Sequence, residues 1–376
     1  MGTRRELYRK ALSFENLPKI PMYLQLARES TLKNWRSQGL PENKDYEDVI
    51  AETLGINPVA FVRRNMLDIS FALRPEFETQ ILEHKDGHYI IRDYMGAVTE
   101  ISDEFDESYL RSPKDFVTRR WLKFPVVNRE DWSEMKERYN PEDPQRFPAD
   151  FMAQCAALKD RDEVMMIKFN GIFWQLREWC GFEGLCILMV EEPEFVMEMA
   201  DFWKDFVSAM LNKIVPHIEL DGVFITEDMA YKAHPMISPA MTREFIQPAY
   251  KEWCPIIKNS GCPLVELDSD GYIDDLIPIW IESGINCCSP IEVAAHCDII
   301  DFRKKYGTDM AYLQGIDKRL IAKGGSDMRD HVTTIVEAMK AEGGFIPGCD
   351  HGVPNDVSWQ MYLEFAEHLA KLCGWL

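Results

Sequence analysis

The chain has 376 residues, 46% of them hydrophobic and 28% charged. That composition excludes a disordered or collagen-like chain, and the length suits one large α/β barrel or two smaller domains. Acidic residues outnumber basic ones 63 to 42, for a formal charge of −21. Such a chain repels phosphate backbones, and its densest basic stretch is Arg303-Lys304-Lys305, so nucleic-acid binding is not expected.

No apolar run approaches the ~20 residues that span a bilayer. The first residues are polar and lack the apolar core of a signal peptide. The ten cysteines are scattered, with one adjacent pair (Cys287-Cys288) and no CxxC. This predicts reduced core thiols in a soluble cytoplasmic protein.

In chain order, residues 20–26 (IPMYLQL) predict a first buried strand and residues 57–62 another. Residues 80–101 alternate polar and apolar side chains around Lys85-Asp86-Gly87 and Met95-Gly96, as an antiparallel meander does. Residues 128–148 are acidic and proline-spaced, a surface connection with one short helix. From Glu163 onward strand and helix alternate. The strand candidates are 164–170, 222–227, 264–270, 285–290, 311–317 and 344–350. Such continuous apolar runs suit a parallel sheet buried on both faces. A helix over 193–215 carries Phe195, Met199, Phe202, Phe206 and Met210 on one stripe. Ser238-Pro239 opens another, to about residue 257. Further helices are expected near 274–283, 298–306, 328–341 and 358–373.

Repeated βα units with no GxGxxG after any strand favour a (β/α)8 TIM barrel over a dinucleotide-binding open sheet. Residues 1–376 then form a single α/β domain with an N-terminal extension. Residues 63–150 are read as an inserted β-meander and connecting segment that covers one end of the barrel.

A parallel barrel carries its chemistry at the C-terminal ends of its strands. Here those ends are polar: Asn170, Glu227-Asp228, Glu266 to Asp270, Asp317-Lys318 and Cys349-Asp350-His351. Alternation along a strand puts Glu266, Asp268 and Asp270 on one face. Three such carboxylates repel unless a cation or a proton compensates, which points to a metal site or acid–base site. The plain alternative is a solvated loop. Adjacent side chains diverge, so one of Cys349, Asp350 and His351 is expected to act. Glu227 and Asp228 either meet substrate or cap the following loop. Lys318 either pairs with Asp317 or binds a substrate carboxylate. No Gly-x-Ser-x-Gly elbow, Walker A loop, HExxH or EF-hand loop occurs.

Taken together, NGIFWQLREWCGFEGLCILMVEEPEFV, DGVFITEDMAYKAHPMISPAMTREFIQP, LDSDGYIDDLIPIWIESGINCCSPIEVAAHCDIIDFRKKYG, LQGIDKR and GGFIPGCDHGVP resemble the uroporphyrinogen decarboxylase superfamily of (β/α)8 barrels. The resemblance is to its cobalamin-dependent methyltransferase branch. True decarboxylases carry an Arg-Gln-Ala-Gly-Arg segment, and the matching LQLARE here offers Arg28 alone. In the methyltransferases a His-x-Cys-Gly and a later Pro-Gly-Cys hold zinc. These fall on Asp268-Ser269-Asp270-Gly271 and Pro347-Gly348-Cys349.

The resemblance thus implies zinc held by Asp268, Asp270 and Cys349, with Glu266 as candidate fourth ligand and His351 as the other substitute. It implies Glu227, Asp228 and His351 as groups that position substrate or move a proton, and Asn170, Asp317 and Lys318 as pocket residues. An oxygen-rich site makes a hard Lewis acid, suited to polarising an ether oxygen. The implied reaction moves a methyl group from a small methylated substrate, a methoxy-aromatic foremost, to the Co(I) of a corrinoid. No DxHxxG segment occurs, so the corrinoid would arrive on a partner protein. The meander and the acidic segment would cover the mouth or dock that partner. The alternatives are methyl transfer from a methylcorrinoid to tetrahydrofolate or a thiol, a metal-free decarboxylase-like lyase, and a binding protein that kept the barrel.

Overall fold

The computed structural model describes residues 2–106, 108–111, 115 and 117–376. In chain order the strands are β1 (Arg64–Met66), then β2 (Gln80–Lys85), β3 (His88–Arg92), β4 (Val98–Ser102) and β5 (Arg119–Lys123). There follow β6 (Val164–Asn170), β7 (Gly222–Thr226), β8 (Val265–Asp268), β9 (Cys287–Ser289), β10 (Ala311–Leu313) and β11 (Phe345–Ile346). β1 and β6 to β11 form one parallel sheet, each strand paired with the next. The ring closes through the segment around Met22. Met22 pairs in parallel with Phe61, just before β1, and Tyr23 with Gly348, just after β11. Eight staves with intervening helices make the expected barrel.

The second stave begins later than the sequence suggests. Asn57 accepts from the Val59 N–H and opens a helical turn at Pro58–Ala60, so sheet pairing starts only at Phe61. β1 therefore lies inside the stretch read as an insertion. The later staves are shorter than expected because the chain turns at their ends. Gln314 (φ 75°) and Gly315 (φ 85°) stop β10, for example.

Inward side chains of the strands, among them Val164, Met166, Phe224, Leu264, Leu313 and Ile346, pack with Tyr8, Ala11 and Leu12 of the helix Arg4–Leu12. That helix plugs the N-terminal end of the barrel: Arg5 N–H bonds Asp162 ahead of β6, and Gly344 ahead of β11 bonds Ala11. The wholly buried Asp221 clamps it through Arg5 (2.7 Å) and also takes Arg161 (2.8 Å). Outward side chains join the helices in the main core.

β2 to β5 form the antiparallel meander in that order. Its first hairpin turns at Asp86 and Gly87, both with positive φ, as a two-residue loop of this kind requires. The connection between β3 and β4 carries Tyr94 and Met95 to the open end of the barrel. The helix expected over 238–257 is interrupted. Pro239–Met241 leads into a wider π-type turn, Thr242–Ile246, and then Gln247–Asn259. Pro248 has no N–H to return to Glu244, and the wider turn absorbs the loss. Among the described residues no helix is long and apolar enough to cross a membrane.

Candidate active site

Parallel pairing sets Asn170, Thr226, Asp268 and Ser289 in one row across β6 to β9. The row beneath is Lys168, Phe224, Glu266 and Cys287. Both rows face into the barrel, because side chains two residues apart share a face.

In the lower row Glu266 is electrostatically complete. Arg64 Nη1 lies 2.9 Å from both oxygens of Glu266, and Nη2 donates to the Tyr23 hydroxyl at 2.9 Å. Ser289 donates to Glu266 at 2.6 Å. Glu266 is wholly buried. It is an internal counter-ion with its lone pairs taken, not the free ligand expected of it.

In the upper row Thr226 and Asp268 are left open. Among the described residues no hydrogen bond reaches the Asp268 carboxyl. Burial, then the nearby Asp270, raises its pKa to about 7 against the pull of Lys168. The Thr226 hydroxyl is buried without a partner. Lys168 is exposed at the mouth, 5.3 Å from the Phe224 ring centroid, and among the described residues it forms no salt bridge.

A cavity of about 510 Å³ opens beside this row. Its walls are mostly apolar, with Phe71, Tyr94 and Trp203 among them and Lys168, Asn170 and Glu178 as polar groups. The size and lining are those of a small-molecule site. Glu178 accepts from Trp174 Nε1 at 2.6 Å and from Asn170 Nδ2 at 3.0 Å. Burial outweighs these bonds and raises its carboxyl to about 7. Burial and the neighbouring Glu178 push the Tyr94 phenol up to about 12, so it enters the cavity as a hydrogen-bond donor.

Across the mouth the polar groups are tied to one another. Asp228, with φ 42°, pairs with Arg177 at 2.9 Å. His351 lies 3.2 Å from Asp270, which raises the imidazole pKa. Lys318 stands 3.4 Å from Glu292, which also accepts the Gly271 N–H at 3.0 Å. The wholly buried Asp350 takes the N–H groups of Lys318 and Val293 at 3.1 Å each. A smaller pocket of about 230 Å³ lies here against Tyr231, Asp270 and Glu292.

Three expected site residues serve the scaffold instead. Asp317 caps the helix Lys318–Lys323 and pairs with Arg319 at 2.7 Å. Glu227 is wholly buried and accepts the Trp174 N–H (3.0 Å) and the Tyr250 hydroxyl (2.5 Å). It anchors the start of the helix Ile172–Cys180. Gly171 is needed there, since a Cβ would fall 2.1 Å from Glu227. Cys349 is wholly buried in the outer layer with Tyr362. Ile346 faces the barrel interior, so three residues on the alternation has turned Cys349 to the other side.

Among the described residues no three His, Cys, Asp or Glu side chains converge as metal ligands do. Of the set expected to hold zinc, Glu266 is neutralised by Arg64, Cys349 points away, and only Asp268 and Asp270 share the mouth. The side chains as they stand do not fit a zinc site. The sequence reading also missed Lys168, Thr226, Glu178 and Arg64. Alternation was the available signal for the first two, which lie two residues before Asn170 and before Asp228. Glu178 stands on a helix, and nothing local marks it.

The fold is similar to that of a methyltransferase from Methanosarcina mazei, at 12% identity and a TM-score of 0.58 over 99% of this chain and 98% of that one. A Shewanella B12-independent methionine synthase aligns over 95% of this chain and 96% of that one at 10% identity, but its TM-score of 0.38 carries no weight. Comparison with curated proteins gives no match. The family model for uroporphyrinogen decarboxylase (URO-D) matches residues 121–372 of the 376, from the last meander strand to the C-terminal helix, and the chain belongs to that family.

Proposed function

We propose that this protein is a methyltransferase that removes the methyl group of a small methylated compound, a methoxy-aromatic, bound in the 510 Å³ cavity. The acceptor is the Co(I) of a corrinoid carried by a partner protein. The observation that carries the reading is Asp268: among the described residues its carboxyl has no hydrogen-bond partner, and it stands at the barrel mouth in one row with Asn170, which lines the aromatic-walled cavity.

The chemistry needs one proton. The O–CH3 bond breaks as the methyl group passes to the nucleophilic acceptor, and the oxygen left behind keeps the electron pair. Asp268 gives that oxygen its proton and is reprotonated from water. A general acid works best with a pKa near the operating pH. Asn170 and Glu178 hold a second polar substituent of the ring, and Tyr94 donates from the meander side. Asp228, fixed by Arg177, and His351, fixed by Asp270, form the rim that the acceptor meets. No step requires a metal.

Lys168 is the one cation among the cavity-lining residues, which supports a substrate with few negative charges. A porphyrinogen with eight carboxylates would need many more. Family membership keeps the lyase as a second reading.

The test is an anaerobic assay with cob(I)alamin and a panel of methoxybenzenes and methoxyphenols, following loss of the cob(I) spectrum. We expect turnover that survives chelator and is lost in Asp268→Asn. If turnover is absent with every methylated donor, and an aromatic carboxylate instead releases carbon dioxide, the lyase reading replaces this one.

A further inference from the structure

We propose that the cavity takes an aromatic monocarboxylate whose carboxylate pairs with Lys168, so that the substrate is a methoxylated benzoate. This rests on the methyl-transfer reading for the methoxy group alone, and adds the group by which the substrate is held.

Lys168 is a charge in an unusual place. β6 reads Val-Met-Met-Ile-Lys-Phe-Asn, and Lys168 is exposed where its neighbours on both sides are buried. Val164 and Met166 pack inside the barrel, so alternation points Lys168 inward as well. A charged side chain turned into a barrel is expected to be paired. Arg64, the other inward cation of this row, is paired with Glu266. Lys168 is not: among the described residues no carboxylate stands within salt-bridge reach of its ammonium and no hydrogen bond engages it. Its free surface lines the 510 Å³ cavity. The Phe224 ring, with its centroid 5.3 Å from Nζ, steadies the ammonium on the strand side without neutralising it.

The other polar groups of the cavity do not supply the missing charge. Glu178 is engaged by Trp174 and Asn170, and the Gln175 side-chain oxygen takes the same Asn170 amide at 3.1 Å. The Tyr94 hydroxyl, like Lys168, lines the cavity with no hydrogen-bond partner among the described residues. A ligand that fills the cavity therefore has to bring acceptors and a negative charge.

The chemical class follows from number and shape. One ammonium matches one carboxylate. Phe71, Phe169 and Trp203 in the walls suit a flat ring attached to it. A phosphate, with nearly two charges, would meet a single cation in a chain of net charge −21. A neutral ring would cover Lys168 and leave it unpaired, which costs free energy.

Equilibrium binding tests this without methyl transfer. Titration calorimetry compares 4-methoxybenzoate with 4-methoxybenzamide, its neutral counterpart of the same shape. We expect the wild-type protein to bind the acid roughly ten- to a hundredfold more tightly, the scale of one charge-assisted contact. Lys168→Met should erase that preference, and Lys168→Arg should keep most of it. Lys159→Met removes an exposed cation ahead of β6, at the other end of the barrel, and should change nothing. Benzene-1,3,5-tricarboxylate should bind no better than the monoacid. Thermal melting shows that each variant is folded. Equal affinity of the wild type for acid and amide overturns the proposal whatever the variants do. So does an undiminished preference in folded Lys168→Met. If 4-methoxybenzoate binds through Lys168 yet does not methylate cob(I)alamin, the carboxylate site stands and the methyl-transfer reading fails. If methoxybenzenes without a carboxylate are demethylated with a kcat/KM equal to that of the benzoate, the methyl-transfer reading stands and the carboxylate site fails.

Discussion

The two halves of the barrel mouth begin from the same raw material and use it differently. Around β9 to β11 the carboxylates are spent on structure. Asp350 ties two loops, Asp317 caps a helix, and Glu292 holds Gly271 and faces Lys318. Around β6 to β8 three polar groups are left open: Thr226 and Asp268 of the upper row and Lys168 of the row beneath. Open buried groups cost stability, and a folded chain keeps them where a ligand completes them. A polar strand end is therefore a weak sign of function until its partners are counted.

The strongest way to break this contrast is to disturb the ion pair beneath the open row. Arg64→Met strands Glu266, wholly buried, inside the barrel. Removing one partner of a buried pair costs about 3–5 kcal/mol. Urea denaturation should show that loss, and Glu266→Gln in the same chain should recover most of it. A loss below about 1 kcal/mol would mean that water reaches Glu266 and that the lower row is not the closed layer described above.

Next in size is Asp268→Asn, which keeps shape and removes the proton. Loss of a general acid lowers turnover by roughly 10²–10⁴-fold. Glu178→Gln should act mainly on KM, because Glu178 faces the cavity through Asn170 and not the mouth centre. Equal losses of turnover in the two variants would erase the distinction between acid and positioning group.

Much of the architecture was legible in the sequence. Apolar runs found seven of the staves, the one around Met22 and β6 to β11, with β6 to its last residue, and alternation with Asp86-Gly87 found β2 to β4 of the meander but not β5. What escaped was local chemistry that competes with pattern. Asn57-Pro58 made a turn where a strand was read, and Pro248 widened a helix. The site was less legible. Alternation led to Glu266 and motif alignment to Cys349, but neither can see that Arg64, far away in the chain, neutralises one or that strand phase turns the other outward. Asn170, Asp228, Asp268 and His351 do stand at the mouth, because strand-end reasoning depends only on fold topology.

pH sharpens the comparison further. Asp268, Glu178 and Glu227 are each raised to about 7 by burial. A carboxyl raised in this way favours the folded state while protonated. Its contribution is complete below the unfolded value of about 4 and is lost as pH climbs through about 7. Unfolding free energy should therefore fall between about pH 4 and pH 7, by about 2 kcal/mol or more in total. Asp268→Asn should flatten part of that slope and be more stable than the wild type at the alkaline end. A flat profile would place these groups in well-solvated surroundings, and a slope of opposite sign would mean that partners hold them ionised below their ordinary pKa.

The smallest effect is expected from Asp317→Ala, and it probes the structural half of the mouth. Asp317 takes the Arg319 N–H at 2.9 Å and pairs with the Arg319 side chain, which is itself largely exposed. Losing a helix N-cap costs about 1 kcal/mol, and the exposed pair adds little. Turnover should stay within about twofold of wild type, since a cap on the far side of the mouth changes no charge in the open row. Measured together, a lower melting temperature with unchanged KM would mark Asp317 as scaffold. A raised KM with unchanged melting would return it to the substrate and show that the paired half of the mouth opens when the ligand arrives.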